Sequence, residues 1–247
     1  MADPHSPPVS GLSERVAQDI RRQILRGDYQ TGERLPAERD LAERHGVNRG
    51  AVREALRTLG QQGLVATQRS GTTVCALRDA SVEILRDLLF AQGAVNRDLA
   101  AQLLDVHEML VAGAARLAIE RGSEEELLRA RALVQRLGDP HLAPEALPGL
   151  LDRIVELITE ASGNLVLRLC RNALQPALAD QLDAIRSLIR PQAPSRRPFI
   201  AAIDGAIKAR DGQALEEAVR SLLRLRRADL MAALDDNIAP ELEEKRG

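Results

Sequence analysis

Residues 35–65, LPAERDLAERHGVNRGAVREALRTLGQQGLV, restrict the fold more than any other stretch of the chain. They read as two short helices joined by a tight turn. Pro36 suits the first position of a helix, where a missing N–H costs nothing, and that helix runs to about His45. Gly46 ends it, since glycine takes the left-handed conformation of a helix C-terminus. Asn48 then offers a side-chain oxygen to cap the next helix. Within that helix Val52, Ala55, Leu56 and Leu59 fall at i, i+3, i+4, i+7, the spacing of one apolar stripe.

The flanks complete a small domain. Upstream, Leu12, Val16, Ile20 and Ile24 recur every fourth residue over a helix Leu12–Arg26, which Ser10 or Ser13 can cap and Gly27 ends. Tyr29–Leu35 reads as a polar loop. Downstream, Gly63 closes the third helix. Leu64–Gln68 and Thr72–Leu77 then read as two strands around Arg69-Ser70-Gly71. The expected first domain therefore covers residues 10–77, with the helix–turn–helix at about 38–57 and a linker at 77–81. The leader MADPHSPPVSG is Pro/Ser-rich and is expected to be disordered.

Everything after the linker reads as helix. Leu99, Leu103, Val106, Leu110, Ala114 and Leu117 form a long stripe behind the cap residue Asn96. Ser123 and Glu126 have capping-box spacing for a helix to about Leu137. A loop marked by Gly138, Pro140 and Pro144 precedes a stripe of Leu147, Leu150, Leu151, Ile154 and Ile158, which ends at Ser162-Gly163. Asn164 caps a further helix that Pro176 should kink, and residues 191–198 should break the chain again. Helices at about 199–210 and 213–233 follow, and the tail PELEEKRG reads as solvated and frayed. One Tyr, two Phe and no Trp leave the core to aliphatic residues, which suits packed helices. The expected fold class is mainly α: a winged helix-turn-helix followed by an antiparallel all-α bundle over residues 82–236.

Charge separates the two parts weakly. Residues 1–80 hold 12 Arg against 10 acids, and the rest holds 22 Arg or Lys against 26 acids. The first part is thus the better partner for a polyanion. Two cysteines, Cys75 and Cys170, are too few for a disulfide framework. No run resembles a signal peptide or approaches a bilayer-spanning length, so the expected compartment is the cytoplasm.

Arg49, Arg53 and Arg57 lie at i, i+4, i+8 on the third helix, with Gly50 beside them. Arginines one turn apart reach phosphates or a guanine edge, and a small residue lets a helix approach a groove floor. A solvated, salt-bridged face with Glu54 is the competing reading. The accompanying turn, second helix and hairpin favour double-stranded DNA as the partner.

These same residues, with RSGTTV after them, resemble the winged-helix domain of the GntR family of transcriptional regulators. The matching positions include Pro36, Glu38-Arg39, Leu41-Ala42, Gly46-Val47, Arg49, Val52–Leu56, Leu59 and Gly63-Leu64. The resemblance implies DNA contacts at Arg39, Asn48, Arg49, Arg53 and the wing tip Arg69-Ser70, to which the small Gly50 adds a close approach to the groove. Arg53 would lie in the major groove and the wing tip in the adjacent minor groove. The family usually carries Gly-x-Gly in the wing, and here Arg69 stands at the first glycine.

The helical part resembles the effector domain of the fatty-acid-regulator branch of that family, with LLDVH at 103–107 and EASGN at 160–164. The resemblance implies a homodimeric, ligand-responsive regulator, commonly a repressor, on a palindromic operator. The alternative is a helical domain serving only dimerisation or protein partners. Most members of the branch hold a divalent metal with an Asp and three His. Here Asp152 stands near the first position, Val155 or Glu156 at the next, and Ile200 and Leu222 near the others, so no metal and no cofactor is expected. Aliphatic residues there imply an acyl or other apolar carboxylate-derived effector. His107, Asp152 and Asn164 are its candidate contacts. His107 reads either as a hydrogen-bonded core histidine or as a polar pocket contact, and Asn164 also reads as a cap. Arg168 and Arg171 read as surface residues. With no Ser/His/Asp or Cys/His pairing and no Gly-rich phosphate loop, no catalytic residue is assigned and an enzyme is not expected.

Overall fold

A computed structural model describes residues 9–91, 93–139, 141–186 and 193–244, which divide into two compact units at Asn96/Arg97. The first unit is built on α1 (Val9–Arg26), α2 (Glu38–His45) and α3 (Arg49–Gln61). Its core joins Val16, Ala17 and Ile20 of α1 to Val52, Ala55 and Leu59 of α3, with Leu41 of α2 beneath them. The i, i+3, i+4, i+7 stripe of α3 is buried, and Arg49, Arg53 and Arg57 beside it are exposed.

Local chemistry sets the helix ends. Gly46 takes φ 62°, and the Val47 N–H bonds back to the Ala42 carbonyl at 3.0 Å, closing α2. The Asn48 side chain accepts from the Ala51 N–H at 2.9 Å and so starts α3. Pro36, expected at the first helical position, instead lies two residues before Glu38, and Ala37 stands at the cap without a side-chain bond. The first helix already runs from Val9, so Ser10 and Ser13 fall inside it rather than at its start. Residues 1–8 of the expected disordered leader lie outside the described residues.

The wing is β1 (Val65–Gln68) paired antiparallel with β2 (Gly71–Val74), in the register Val65↔Val74 to Gln68↔Gly71. Arg69 and Ser70 are thus the two-residue tip. The segment read as a polar loop adds a third edge: Leu35 N–H bonds to Thr72 O, Val74 N–H to Glu33 O and Gly32 N–H to Val74 O. Leu35 at its end is buried, which fixes the loop to the core.

Residues 82–96, assigned from sequence to the second domain, belong to the first unit. A 3-10 turn, Val82–Ile84, and a short helix, α4 (Leu85–Leu89), bury Ile84 and Leu89 there. The Arg21 guanidinium, itself buried, pairs with Asp87 and ties α4 to α1.

The second unit is helical throughout among the described residues: α5 (Arg97–Arg121), α6 (Glu124–Arg136), α7 (Leu147–Ala161), α8 (Leu165–Arg186), α9 (Ala193–Ala209) and α10 (Gly212–Glu244). Ser123 and Glu126 form the expected capping box. Val111, Ala115 and Ala118 of α5, Ile154 and Ile158 of α7, Ile203 and Ile207 of α9, and Leu215 and Val219 of α10 share one aliphatic core. The chain break expected at 191–198 differs in part: α9 already runs from Ala193 through Pro198, and 187–192 lie outside the described residues. Helix α10 continues to Glu244 through the tail that reads as frayed, and 245–247 lie outside the described residues. Among the described residues no helix is long and apolar enough to cross a membrane.

Candidate functional site

Helix α3 presents the expected cations to solvent. Arg53 and Arg57 have side chains 68 and 60 % exposed, and Arg49 and Gly50 are exposed at the helix start. Arg57 is committed to Glu54 one turn back, at 2.9 Å. Arg53 is held differently: its Nε donates to Glu38 Oε2 at 2.7 Å, across to the first turn of α2. That bond fixes the guanidinium on the outer face while leaving its terminal nitrogens for another acceptor. Arg49 makes no ion pair among the described residues, and Arg39 reaches only its neighbour Asp40, at 3.2 Å. An outward helix with one unpaired and one pre-oriented arginine is suited to phosphates and base edges.

The N-terminus of α3 contributes as well. Asn48 is exposed and already spends one oxygen on the Ala51 N–H. A Cβ added at Gly50 would lie 3.1 Å from that same oxygen, so glycine here protects the cap as well as leaving the surface low.

At the wing tip, Arg69 and Ser70 are both exposed. The strained position is Gly71, at φ 126°, whereas Arg210 is the only non-glycine with positive φ among the described residues. Arg69 therefore occupies its place without the glycine usual there, and the tip gains a cation. The Thr67 and Thr72 hydroxyls bond at 3.1 Å across the strands and stiffen the tip.

In the helical unit two spaces adjoin. One, about 20 Å³, is lined by His107, Leu110, Val111, Leu167 and Leu174. That is room for about one water molecule. The other, about 240 Å³, is a polar cleft between α7 and α8 holding Asp152, Glu156 and Gln175. Thr159 and Arg171 line both. Arg171, read from sequence as a surface residue, has a side chain only 14 % exposed, and its Nη2 donates to Asp152 Oδ1 at 2.6 Å. Arg168 does lie at the surface, paired with Glu160 at 3.0 Å.

Of the three candidate effector contacts, His107 and Asp152 face these two spaces. Asn164 instead caps α8, accepting from Val166 and Leu167 N–H at 3.0 and 3.2 Å. His107 makes no hydrogen bond to a protein group among the described residues and lines the smaller space. Burial, helped by Arg226 and Arg171, pushes its pKa down to about 4. The folded protein thus refuses a proton that the unfolded chain accepts near pH 6.5. Stability carried by neutral His107 is present above pH 6.5 and is lost as pH falls toward 4, by something on the order of 3 kcal/mol. Urea midpoints at pH 7 and pH 4.5 should differ less in His107→Gln than in the parent; an equal difference contradicts the buried neutral ring.

The residues do not fit the metal that most of the resembling branch holds. Among the described residues no three His, Cys, Asp or Glu side chains gather around a point, and Ile200 and Leu222 are buried in the aliphatic core.

Known proteins resemble the chain in both of its units. The profile of bacterial regulatory proteins, gntR family, matches residues 12–74, and the FCD domain profile matches 102–225. The HTH-type transcriptional regulator Mce2R of Mycobacterium tuberculosis is 33% identical over 229 residues, spanning 90% of this chain and 93% of the relative. LutR of Bacillus subtilis is 32% identical over 115 residues, 47% of this chain and 52% of LutR. Among solved structures, that of Lar, described as controlling the agr system of Listeria monocytogenes, superposes with a TM-score of 0.54 at 18% identity. It covers 91% of this chain and 97% of the other, and shows the shared fold.

Proposed function

Because the chain belongs to the gntR family of bacterial regulatory proteins and carries an FCD domain, and its relatives are DNA-binding transcriptional regulators rather than enzymes, we propose that it is a ligand-responsive repressor. It acts in the cytoplasm as a homodimer on a palindromic operator. The DNA-binding part spans residues 10–77, and the effector and dimerisation part, assigned from sequence to 82–236, is the helical unit that begins at Arg97. The observation that carries this reading is the outward face of α3. There Arg49 is unpaired, Arg53 is pre-oriented by Glu38 and Asn48 caps the helix start. Arg39 and the wing tip Arg69-Ser70 extend the contact to the backbone and the minor groove.

Dimerisation has a surface to draw on. Leu165, Val166 and Leu169, at the start of α8, are 66, 67 and 58 % exposed, more apolar surface than one helix end ordinarily leaves in water. The effector, an acyl or other apolar carboxylate-derived molecule, biases the dimer between two arrangements by binding one more tightly.

A footprint on DNA from upstream of its own gene tests the reading. It should show two protected half-sites about 10 base pairs apart, centre to centre, bound by two protomers and released by effector. A single protected patch bound by one protomer would contradict the dimer. The apolar cavity beside His107 holds only about 20 Å³, which favours the ligandless alternative as second reading. Thermal stabilisation by none of a panel of acyl-CoAs, fatty acids and small organic acids would select it.

A further inference from the structure

Resting on the reading of residues 10–77 as a DNA-binding domain, we propose that Arg69 at the wing tip is a specificity residue. It selects A·T pairs, and the narrow minor groove they form, beside each half-site. Helix α3 reads its bases directly, and the wing adds a preference that it senses through groove shape.

The hairpin carries a single charge. From Leu64 to Leu77 there is no Asp, Glu, Lys or other Arg, so the pull of the wing on a polyanion rests on Arg69. Its side chain is exposed and has no hydrogen-bond or ion-pair partner among the described residues. Gln68 and Ser70 beside it are exposed and uncharged. They can bond phosphates along the groove edges while the longest side chain of the tip reaches inward.

The tip is also narrow and held in place. The register Gln68↔Gly71 leaves Arg69-Ser70 as a two-residue turn. The unusual backbone falls on Gly71, at φ 126° with nothing within 4 Å of an added Cβ, and Arg69 keeps a negative φ. Behind the turn the Thr67 and Thr72 hydroxyls bond at 3.1 Å. The other edge of β2 is fixed by Leu35 N–H to Thr72 O and Val74 N–H to Glu33 O, both at 2.9 Å. The guanidinium is thus presented at one place.

The minor groove is about 6 Å wide, too tight for a two-stranded ribbon but open to one side chain. A·T-rich DNA narrows it and strengthens its negative potential, whereas G·C pairs put an amino donor on its floor. A cation without a partner gains more from the first than from the second. A phosphate contact alone would carry no such preference.

Selection from a random duplex pool by the full-length protein tests this, with Arg69→Gly and Arg69→Gln beside the parent. All three should enrich the same half-site, and only the parent should enrich A·T next to it. On one selected duplex, read by fluorescence anisotropy, exchanging the flanking A·T pairs for G·C should weaken the parent about tenfold. Inosine·cytosine pairs keep the major-groove edge of G·C but lack the minor-groove amino group, and should restore most of that loss. Both variants should bind all three flanks alike, with the parent's melting temperature. Agreement between glycine and glutamine separates loss of the cation from a change in the turn. Indifference of the parent to the flank, or inosine·cytosine as weak as G·C, would overturn the proposal. So would a flank preference kept by both variants at uniformly lower affinity, which would make Arg69 a phosphate contact only. Enrichment of no site by the parent would end the DNA-binding reading itself, and the proposal with it.

Discussion

Replacing Arg49 and Arg53 together by alanine abolishes specific binding to the operator and leaves the helical content unchanged. Both side chains are exposed on α3, about a quarter-turn around from the buried stripe of Val52, Ala55, Leu56 and Leu59, so neither supports the core. An arginine read against a guanine edge is worth about 1–3 kcal/mol of discrimination. Two such losses reduce specific affinity by roughly two to four orders of magnitude. The single variants should differ. Arg49→Ala removes an unpaired cation, and the salt dependence of binding should flatten by about one phosphate. Arg53→Ala also strands Glu38 beside the groove, where an unpaired carboxylate repels phosphate. Glu38→Gln separates these contributions, because it frees Arg53 without deleting it. Fluorescence anisotropy on operator and scrambled duplexes, with far-UV circular dichroism beside it, measures all four variants. Wild-type affinity in the double variant would remove α3 from the interface.

Gly63→Ala is the second large effect, and it acts on stability. Gly63 follows α3 at φ 72°, and a Cβ there would lie 2.4 Å from the Asp79 carbonyl oxygen and 3.0 Å from Ala80 Cα. The left-handed conformation costs a non-glycine residue about 1–2 kcal/mol. The clash adds to this, since the atoms in the way are backbone and cannot rotate aside. The turn at 77–80 must move, although Ser81 N–H is bonded to Gln62 O at 2.8 Å. A total of about 2–4 kcal/mol is a large share of a domain's usual 5–15. The melting temperature of the first unit should fall by roughly 10 °C or more. Gly63→Asn discriminates between the two causes: asparagine tolerates positive φ but keeps the clash, so it should rescue little. Near-complete recovery with asparagine would show that the turn gives way easily.

What was legible in the sequence had a local cause. Gly46 and Asn48 mark the two sides of one turn, and both make bonds to residues three or four positions away. The α3 stripe and the Ser123–Glu126 capping box are similarly short-range. The features that escaped depend on distant neighbours. Gly32–Leu35 looks like a polar loop until β2 folds back beside it. Ile84 and Leu89 show no periodicity long enough to reveal a helix, yet Arg21, 66 residues from Asp87, draws them onto α1. Arg171 sits on a mixed helix whose buried side is set by α5 and α7, so nothing beside it in sequence marks it as nearly covered. Likewise the Arg53–Glu38 bond spans two helices and is invisible to spacing along one. On the exposed side of α3, then, the residue types were readable, and their pairing was not.

The most direct test of the central claim is the affinity of the full-length protein for its own upstream DNA, against a scrambled duplex of equal length and composition at physiological salt. A sequence-reading helix–turn–helix should prefer its own site by about a thousandfold or more. Equal affinity for the two duplexes would mean that α3 and the wing hold DNA by charge alone, and would contradict the account.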